Sequence, residues 1–330
     1  MTLVVESSKA LVQYRFSTCE LIPFAVAIAF YYALPDYLPL GTAICVTAIF
    51  ALSLDLVIGY AGIVTLGHSV FFGIGAYSAA LLSRNGWGEP VSTVIAGAAV
   101  SAFFALLSGP LLLRLRGLPL IMVTLGVASV VSEAANKLSW LTGGNDGLPG
   151  LTFDPVFKMF TWSIDGKTAY LYALAWLLVV LIVARTVVSS SFGVALQGIR
   201  QNELRMRLIG APVLSQLVAI YALSAGVAGV AGALYAQSNG FVGLEALSVD
   251  QGVFALAMIV LGGIGRLHGA IVGAAVYMVV QYAAQQWDPY YWMLAIGVML
   301  VLVVRFSKGG ILGALDELSA GLKRRLESHL

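Results

Sequence analysis

The chain has 330 residues, of which 60% are hydrophobic and 10% are charged, with a formal net charge of +2. A soluble domain carries about a quarter charged residues. Its apolar excess needs lipid as solvent and excludes an ordinary water-soluble domain. The expected fold class is therefore all-α: a polytopic membrane protein.

The N-terminal segment 1–19 does not read as a signal peptide. It has no long apolar region before Cys19, and its positive charges, Lys9 and Arg15, are scattered among polar residues. Cys19 and Cys45 each sit in or beside apolar sequence, and read as small buried hydrophobes rather than as a disulfide framework.

About 20 apolar residues cross a bilayer. Cutting the chain at Pro, Gly and charge clusters predicts ten spans, near 20–35, 39–58, 63–83, 91–113, 118–138, 168–188, 214–236, 250–264, 268–286 and 289–305. The first and eighth are short, and the third is broken by glycine. Ten spans with both termini cytoplasmic leave only Arg84, Lys137, Lys158 and Lys167 outside, and the other fourteen of the eighteen basic residues inside. That asymmetry satisfies the positive-inside rule. The membrane domain then covers 20–305, with a C-terminal tail at 306–330.

The segment 59–82, GYAGIVTLGHSVFFGIGAYSAALL, is the most unusual span. Gly59, Gly62, Gly67, Gly73 and Gly75 are what close helix packing or a helix break requires. An ionisable group such as His68 is costly in lipid unless it faces protein or water. Asp55, late in the second span, reads either as a carboxylate bonded to a neighbouring helix terminus or as a cavity residue. His68 reads either as a hydrogen-bonded packing group or as a pathway residue. Glu133 reads as a hydrogen-bonded interhelical group, as a partner of Lys137 four residues on, or as a residue lining a route. The turn GGIGRLHG, with Gly262, Gly263 and Gly265, separates two short spans at a membrane face.

The loop 139–167, containing WLTGGNDGLPG, is predicted to be turn-rich and on the outer face. The inner loop 189–213 starts at serines that can cap a helix and ends at Gly210 and Pro212. Phe192, Leu196, Ile199, Met206 and Ile209 share one helical face, and Arg200, Gln201, Arg205 and Arg207 occupy others. This describes one basic amphipathic helix or two short ones. It would lie against anionic lipid or dock a cytoplasmic partner.

No nucleotide-binding loop is found: TWSIDGKT at 161–168 lacks the first glycine. There is no paired-Cys motif and no H-E-x-x-H or G-x-S-x-G, so neither an enzyme site nor a metal site is expected. No nucleic-acid partner is expected either.

Five pieces in order carry a family resemblance: 59–82, RLRGLPLIMVTLG at 114–126, LTGGNDGLPG at 141–150, IRQNELRMRLIGAPV at 199–213 and LGGIGRLHGAIVGA at 261–274. They resemble the permease subunits of branched-chain amino acid ABC transporters, of the LivM type. The resemblance implies an importer permease in a bacterial inner membrane. Its implied partners are a second homologous permease, two cytoplasmic ATP-binding subunits and a periplasmic substrate-binding protein that docks near 139–167. It implies no cofactor on this chain, since ATP binds the partner subunits.

The resemblance also implies coupling to the ATPase through Ile199, Arg200, Asn202, Glu203, Arg205, Arg207 and Gly210. Intramembrane polar and small residues concentrate on the second, third and fifth helices, at Ser53, Asp55, Thr65, His68, Ser69, Thr124, Ser129 and Glu133, and a substrate path lined by them is expected between this chain and its partner permease. Three positions depart from the family pattern: Asp55 stands where Asn is more usual, and Arg205 and Arg207 where small or acidic residues are. Urea, short amides and other small solutes are carried by similar permeases. A second reading is an ion-gradient-driven carrier built on a weak repeat between 56–68 and 259–273, but only Asp55 and Glu133 would serve it as buried carboxylates.

Overall fold

The structure is a computed structural model, and it describes residues 22–33, 35–156, 166–288, 291–306 and 309–313. The expectations for 1–19, Cys19, Lys158 and most of the tail lie outside the described residues.

Apolar runs punctuated by Pro, Gly and capping residues give helices throughout: α1 (Ile22–Ala33), α2 (Leu38–Asp55), α3 (Ser69–Arg84), α4 (Pro90–Leu112), α5 (Leu118–Lys137), α6 (Ser139–Thr142), α7 (Lys167–Ser189), α8 (Ser191–Gln201), α9 (Glu203–Leu208), α10 (Val213–Asn239), α11 (Val249–Gly262), α12 (Leu267–Trp287) and α13 (Trp292–Phe306). Proline in the first turn starts α2, α4 and α5, where its missing N–H has no intrahelical role. The side chains of Ser190, Asn202 and Ser248 cap α8, α9 and α11. Among the described residues there is no strand. A β-bridge, Leu148 with Val242, ties the 139–156 loop to the end of α10.

Among the described residues, six helical stretches are long and apolar enough to cross a membrane: 35–60, α4, α5, α7, α10 and α12. α11 and α13 are apolar but shorter. The predicted third span, 63–83, becomes helical only at Ser69. Residues 62–65 have no regular structure, because Gly62 has φ +72° and the chain turns there instead of continuing. α2 itself ends in a π-turn, Leu56–Tyr60.

The core is built around α2 and α10, whose apolar windows are 83% and 78% buried, against 28%, 22% and 28% for α4, α5 and α7. Helices that are apolar all round belong in a core. α10 packs on α3 and α4, α2 packs on α7, α10 and α12, and α11 pairs with α12. Small residues set the spacing. A Cβ on Gly229 of α10 would lie 2.6 Å from the Gly97 carbonyl and 2.6 Å from Ser101 Oγ of α4, and one on Gly75 of α3 would lie 2.5 Å from Gly229 Cα. Ser101 donates to the Phe71 carbonyl at 2.8 Å, joining α4 to α3. This is the small-residue packing that stands in for the hydrophobic effect between helices in lipid. The periphery keeps large apolar side chains exposed, among them Phe103, Leu107, Leu111, Met122 and Val130 on α4 and α5.

Candidate functional site

Three arrangements lie in sequence along α2. The first is at the end of the bundle that carries the 189–213 loop. Asp55 closes the last turn of α2 and is fully buried. Its Oδ1 accepts from the Gly265 backbone N–H at 2.7 Å. Gly265 has φ +80° and lies so close to the π-turn that a Cβ on Gly59 would sit 2.7 Å from Gly265 Cα. Arg200 of α8 donates through Nη1 to the Gly59 carbonyl, and its side chain packs beside Gly62. The end of α2, the α11–α12 turn and the basic loop are thus joined. The two weakly repeated glycine turns, 56–68 and 259–273, meet each other here.

The second arrangement is centred on Ser53 and Phe50, two and five residues before Asp55. Ser224 of α10 donates to the Ser53 carbonyl at 2.5 Å, and Ser53 donates to the Phe50 carbonyl at 2.6 Å. His68 Nε2 is 3.0 Å from Ser53 Oγ and 3.2 Å from Ser224 Oγ. Each hydroxyl has one proton, and both protons are already directed at carbonyls. Nε2 therefore carries the proton shared with the two oxygens, which sets the tautomer by hydrogen-bond logic. The ring is 6.0 Å from Phe50, stacked, and 5.4 Å from Phe71, edge-on. His68 is 1% exposed and Ser53, Ser69 and Ser224 are wholly buried. The group is a sealed interhelical knot, with no opening to solvent.

The third arrangement is a cavity of about 980 Å³ at the 139–156 end, between α2, α10, α11 and α12. It descends from Pro39 and Asn239 to Phe50, Phe72 and Met258. Phe50 and Phe72 are 4.8 Å apart at its floor, so its floor is the roof of the histidine knot. Sequence reading missed it, because Tyr235, Phe254 and Tyr277 look like ordinary apolar positions on their helices.

The other expected path residues divide. Thr65 and Thr124 are buried, and a Cβ on Gly67 would lie 2.9 Å from the Thr124 carbonyl carbon, so the irregular run before α3 is pressed against α5. Ser129 and Glu133 are exposed on α5, and Glu133 is 3.6 Å from Lys137. A Cβ on Gly73 would lie 2.5 Å from Leu247 Cγ. In the α11–α12 turn, Gly262 lies against Gly269 and Gly263 has φ +109°. The eight expected path residues therefore do not form one continuous lining within a single chain.

The inner loop forms two short helices. Asn202 Oδ1 accepts from the Arg205 N–H at 2.9 Å and starts the second. Glu203 bridges Arg207 at 2.6 Å and Arg116, at the start of α5, at 2.8 Å. Leu196 and Ile199 are buried, as their shared face predicts, but Ile209 is 71% exposed along with Leu204 and Leu208. Gly210, φ +84°, ends the helical run. Arg205 and Arg207 are exposed.

Residues 38–304 match the family model described as the permease component of branched-chain amino acid transport systems. The chain is 31% identical over 295 residues to the high-affinity branched-chain amino acid transport system permease protein LivM of Escherichia coli (strain K12), covering 83% of this chain and 69% of that protein. The protein of the same name from Salmonella typhimurium is 32% identical over 296 residues, with the same shares covered. A probable branched-chain amino acid transport permease protein LivM of Methanocaldococcus jannaschii is 20% identical over 335 residues, covering 84% of this chain and 93% of the other. No solved structure matches.

Proposed function

Since the chain belongs to the family of branched-chain amino acid transport permease components, a family of transport proteins rather than enzymes, we propose that it is the membrane-spanning subunit of an ATP-driven importer for branched-chain amino acids in a bacterial inner membrane. We assign it ten membrane helices with both termini cytoplasmic. The 139–156 end is then external and receives solute from a binding protein. The partners are a second permease and two ATP-binding subunits.

The observation that carries the coupling role is the inner loop. α9 holds Leu204 and Leu208, with Ile209 just beyond, exposed beside Arg205 and Arg207. A short helix with exposed apolar anchors and a basic rim fits a groove on a partner. Behind it, Arg200 reaches the end of α2. Movement of the loop can therefore bias the arrangement of the bundle, which is what coupling between distant sites needs. The exposed side of α5, with Ser129 and Glu133, is our choice for the face toward the second permease and the inter-subunit path. Ser53, His68 and Ser69 then form the packed hinge behind it.

Tagging the chain in its native host, solubilising in mild detergent and identifying what co-purifies tests this. A second permease with one or two P-loop ATPases is the expected result. A homo-oligomer alone would overturn it in favour of a gradient-driven carrier, with Asp55 and Glu133 as the next residues to substitute.

A further inference from the structure

We propose that the π-turn at the end of α2 is a two-state latch worked by Arg200. In the structure the guanidinium holds the Gly59 carbonyl; in the second state it pairs with the Asp55 carboxylate. The inference rests on the import reading, because it names how the inner loop would pass its movement to the bundle.

Asp55 is only half satisfied. It is fully buried, and its Oδ1 accepts from the Gly265 N–H. Its Oδ2 has no hydrogen-bond partner. An uncharged amide oxygen would serve Gly265 as an acceptor too, so that bond alone does not call for a carboxylate. A buried charge is costly unless it is paired and fully hydrogen-bonded, and the free oxygen marks where a cation would sit.

Arg200 is the cation at hand. It is near enough to Asp55 for the two charges to interact, yet its Nη1 donates to the Gly59 carbonyl and Oδ2 is left over. The residues around both groups are glycines. A Cβ on Gly265 would lie 3.3 Å from Arg200 Nη1, and one on Gly62 would lie 2.9 Å from Arg200 Cγ. A Cβ on Gly59 would touch Asp55 Oδ1 and lie 2.7 Å from Gly265 Cα. The missing side chains leave the guanidinium room to cross from one acceptor to the other. Arginine–carboxylate pairs are charge-assisted and stronger than a bond to a neutral carbonyl, so the second contact can hold the turn in a new shape.

The turn itself supplies the second shape. Leu56–Tyr60 is π-helical, a rare geometry that occurs mostly as single turns and often at functional sites. It closes widely: the Ile63 N–H donates to the Val57 carbonyl at 3.1 Å, around Gly62 with φ +72°. Rewinding it as α-helix would turn the carbonyls that follow by about 100°, one residue's share of a helical turn. The Gly59 carbonyl would swing off the guanidinium and leave Asp55 Oδ2 as the acceptor. Gly265 would stay bonded to Oδ1, so the α11–α12 turn would move with α2.

The complete transporter is reconstituted in proteoliposomes, and leucine uptake per ATP hydrolysed is measured for wild type, Asp55→Asn, Arg200→Gln and the double variant. Absence of uptake by wild type, with an active ATPase, would reject the import reading and the latch with it. With wild type active, each single variant should lower uptake per ATP about fivefold or more, the size of an ordinary coupling between sites. The double variant should be no worse than the poorer single one, because both changes remove one contact. Asp55→Asn keeps the acceptor for Gly265, so its thermal midpoint should stay near that of wild type while uptake falls; a role in folding alone would move the two together. Normal uptake per ATP in either single variant, or losses that multiply in the double variant, would overturn the latch and leave the import reading standing. Arg200 is exposed on α8, so the Arg200→Gln result holds whether or not Asp55→Asn assembles.

Discussion

Asp55 and Gly265, 210 residues apart in the chain, are joined by a 2.7 Å hydrogen bond from the glycine N–H to the carboxylate. It fastens the end of α2 to the α11–α12 turn, and the carboxylate is buried. A hydrogen bond to a charged group contributes about 1.5–3 kcal/mol. Asp55→Ala should therefore lower the thermal midpoint of the detergent-solubilised chain clearly. Asp55→Asn keeps an acceptor at Oδ1 and should stay closer to wild type. Equal midpoints for alanine and wild type would show that the turn is held by glycine packing alone.

Glycine packing makes its own prediction. Gly229→Ala puts a methyl group against the Gly97 carbonyl and Ser101, and overpacking costs about 1–3 kcal/mol. Gly126, on α5, has nothing within 4 Å of an added Cβ. Gly126→Ala should be neutral or stabilising, by about 0.5–1 kcal/mol, since alanine is the better helix former. Chemical or thermal unfolding in detergent would rank the two, and the reverse order would refute the three-helix contact.

The histidine knot is a network, so its members should not act independently. Interhelical polar pairs in a membrane protein contribute about 0.6 kcal/mol on average. In a double-mutant cycle, Ser224→Ala and His68→Phe should show coupling of about that size or somewhat more, because each shares the Ser53 group. Full additivity in unfolding free energy would mean that His68 is held by Phe50 and Phe71 alone.

Much of this architecture was legible in the residues. The long apolar runs α4, α5, α7, α10 and α12 have the length and composition of spans, and proline marks where α4 and α5 start. Of the readings left open for Asp55 and Glu133, the geometry supplies a partner for each: the Gly265 N–H just before α12 for Asp55, and Lys137 for Glu133. The glycine turns at 59–62 and 262–265 were visible as unusual, but nothing local says that they touch, since that contact depends on how α2 and α12 cross. The start of α3 was misjudged because IVTLGH is as apolar as a helix, while the positive φ at Gly62 is decided by packing against Arg200. The cavity was invisible for a simpler reason. Thr42, Phe50, Phe254 and Tyr277 come from three helices, and each alone looks like core.

The inner loop gives the most direct test of coupling. Glu203 is partly exposed, bonded to Arg116 and Arg207, and exposed ion pairs contribute about 0–1 kcal/mol. Glu203→Ala should therefore leave folding and complex assembly intact. It should still change coupling, because it frees α9 from the start of α5. Arg200→Glu removes the donor to the Gly59 carbonyl and sets a carboxylate beside it, so the loop would separate from α2. In proteoliposomes containing the complete transporter, both variants should hydrolyse ATP at near the basal rate while solute uptake per ATP falls several-fold. Arg200→Lys keeps the charge but not the planar reach of guanidinium, and should fall between them. Normal uptake by Arg200→Glu would mean that the path from loop to bundle runs through the Glu203–Arg116 bridge instead, and the Glu203→Ala uptake ratio would then carry the whole loss.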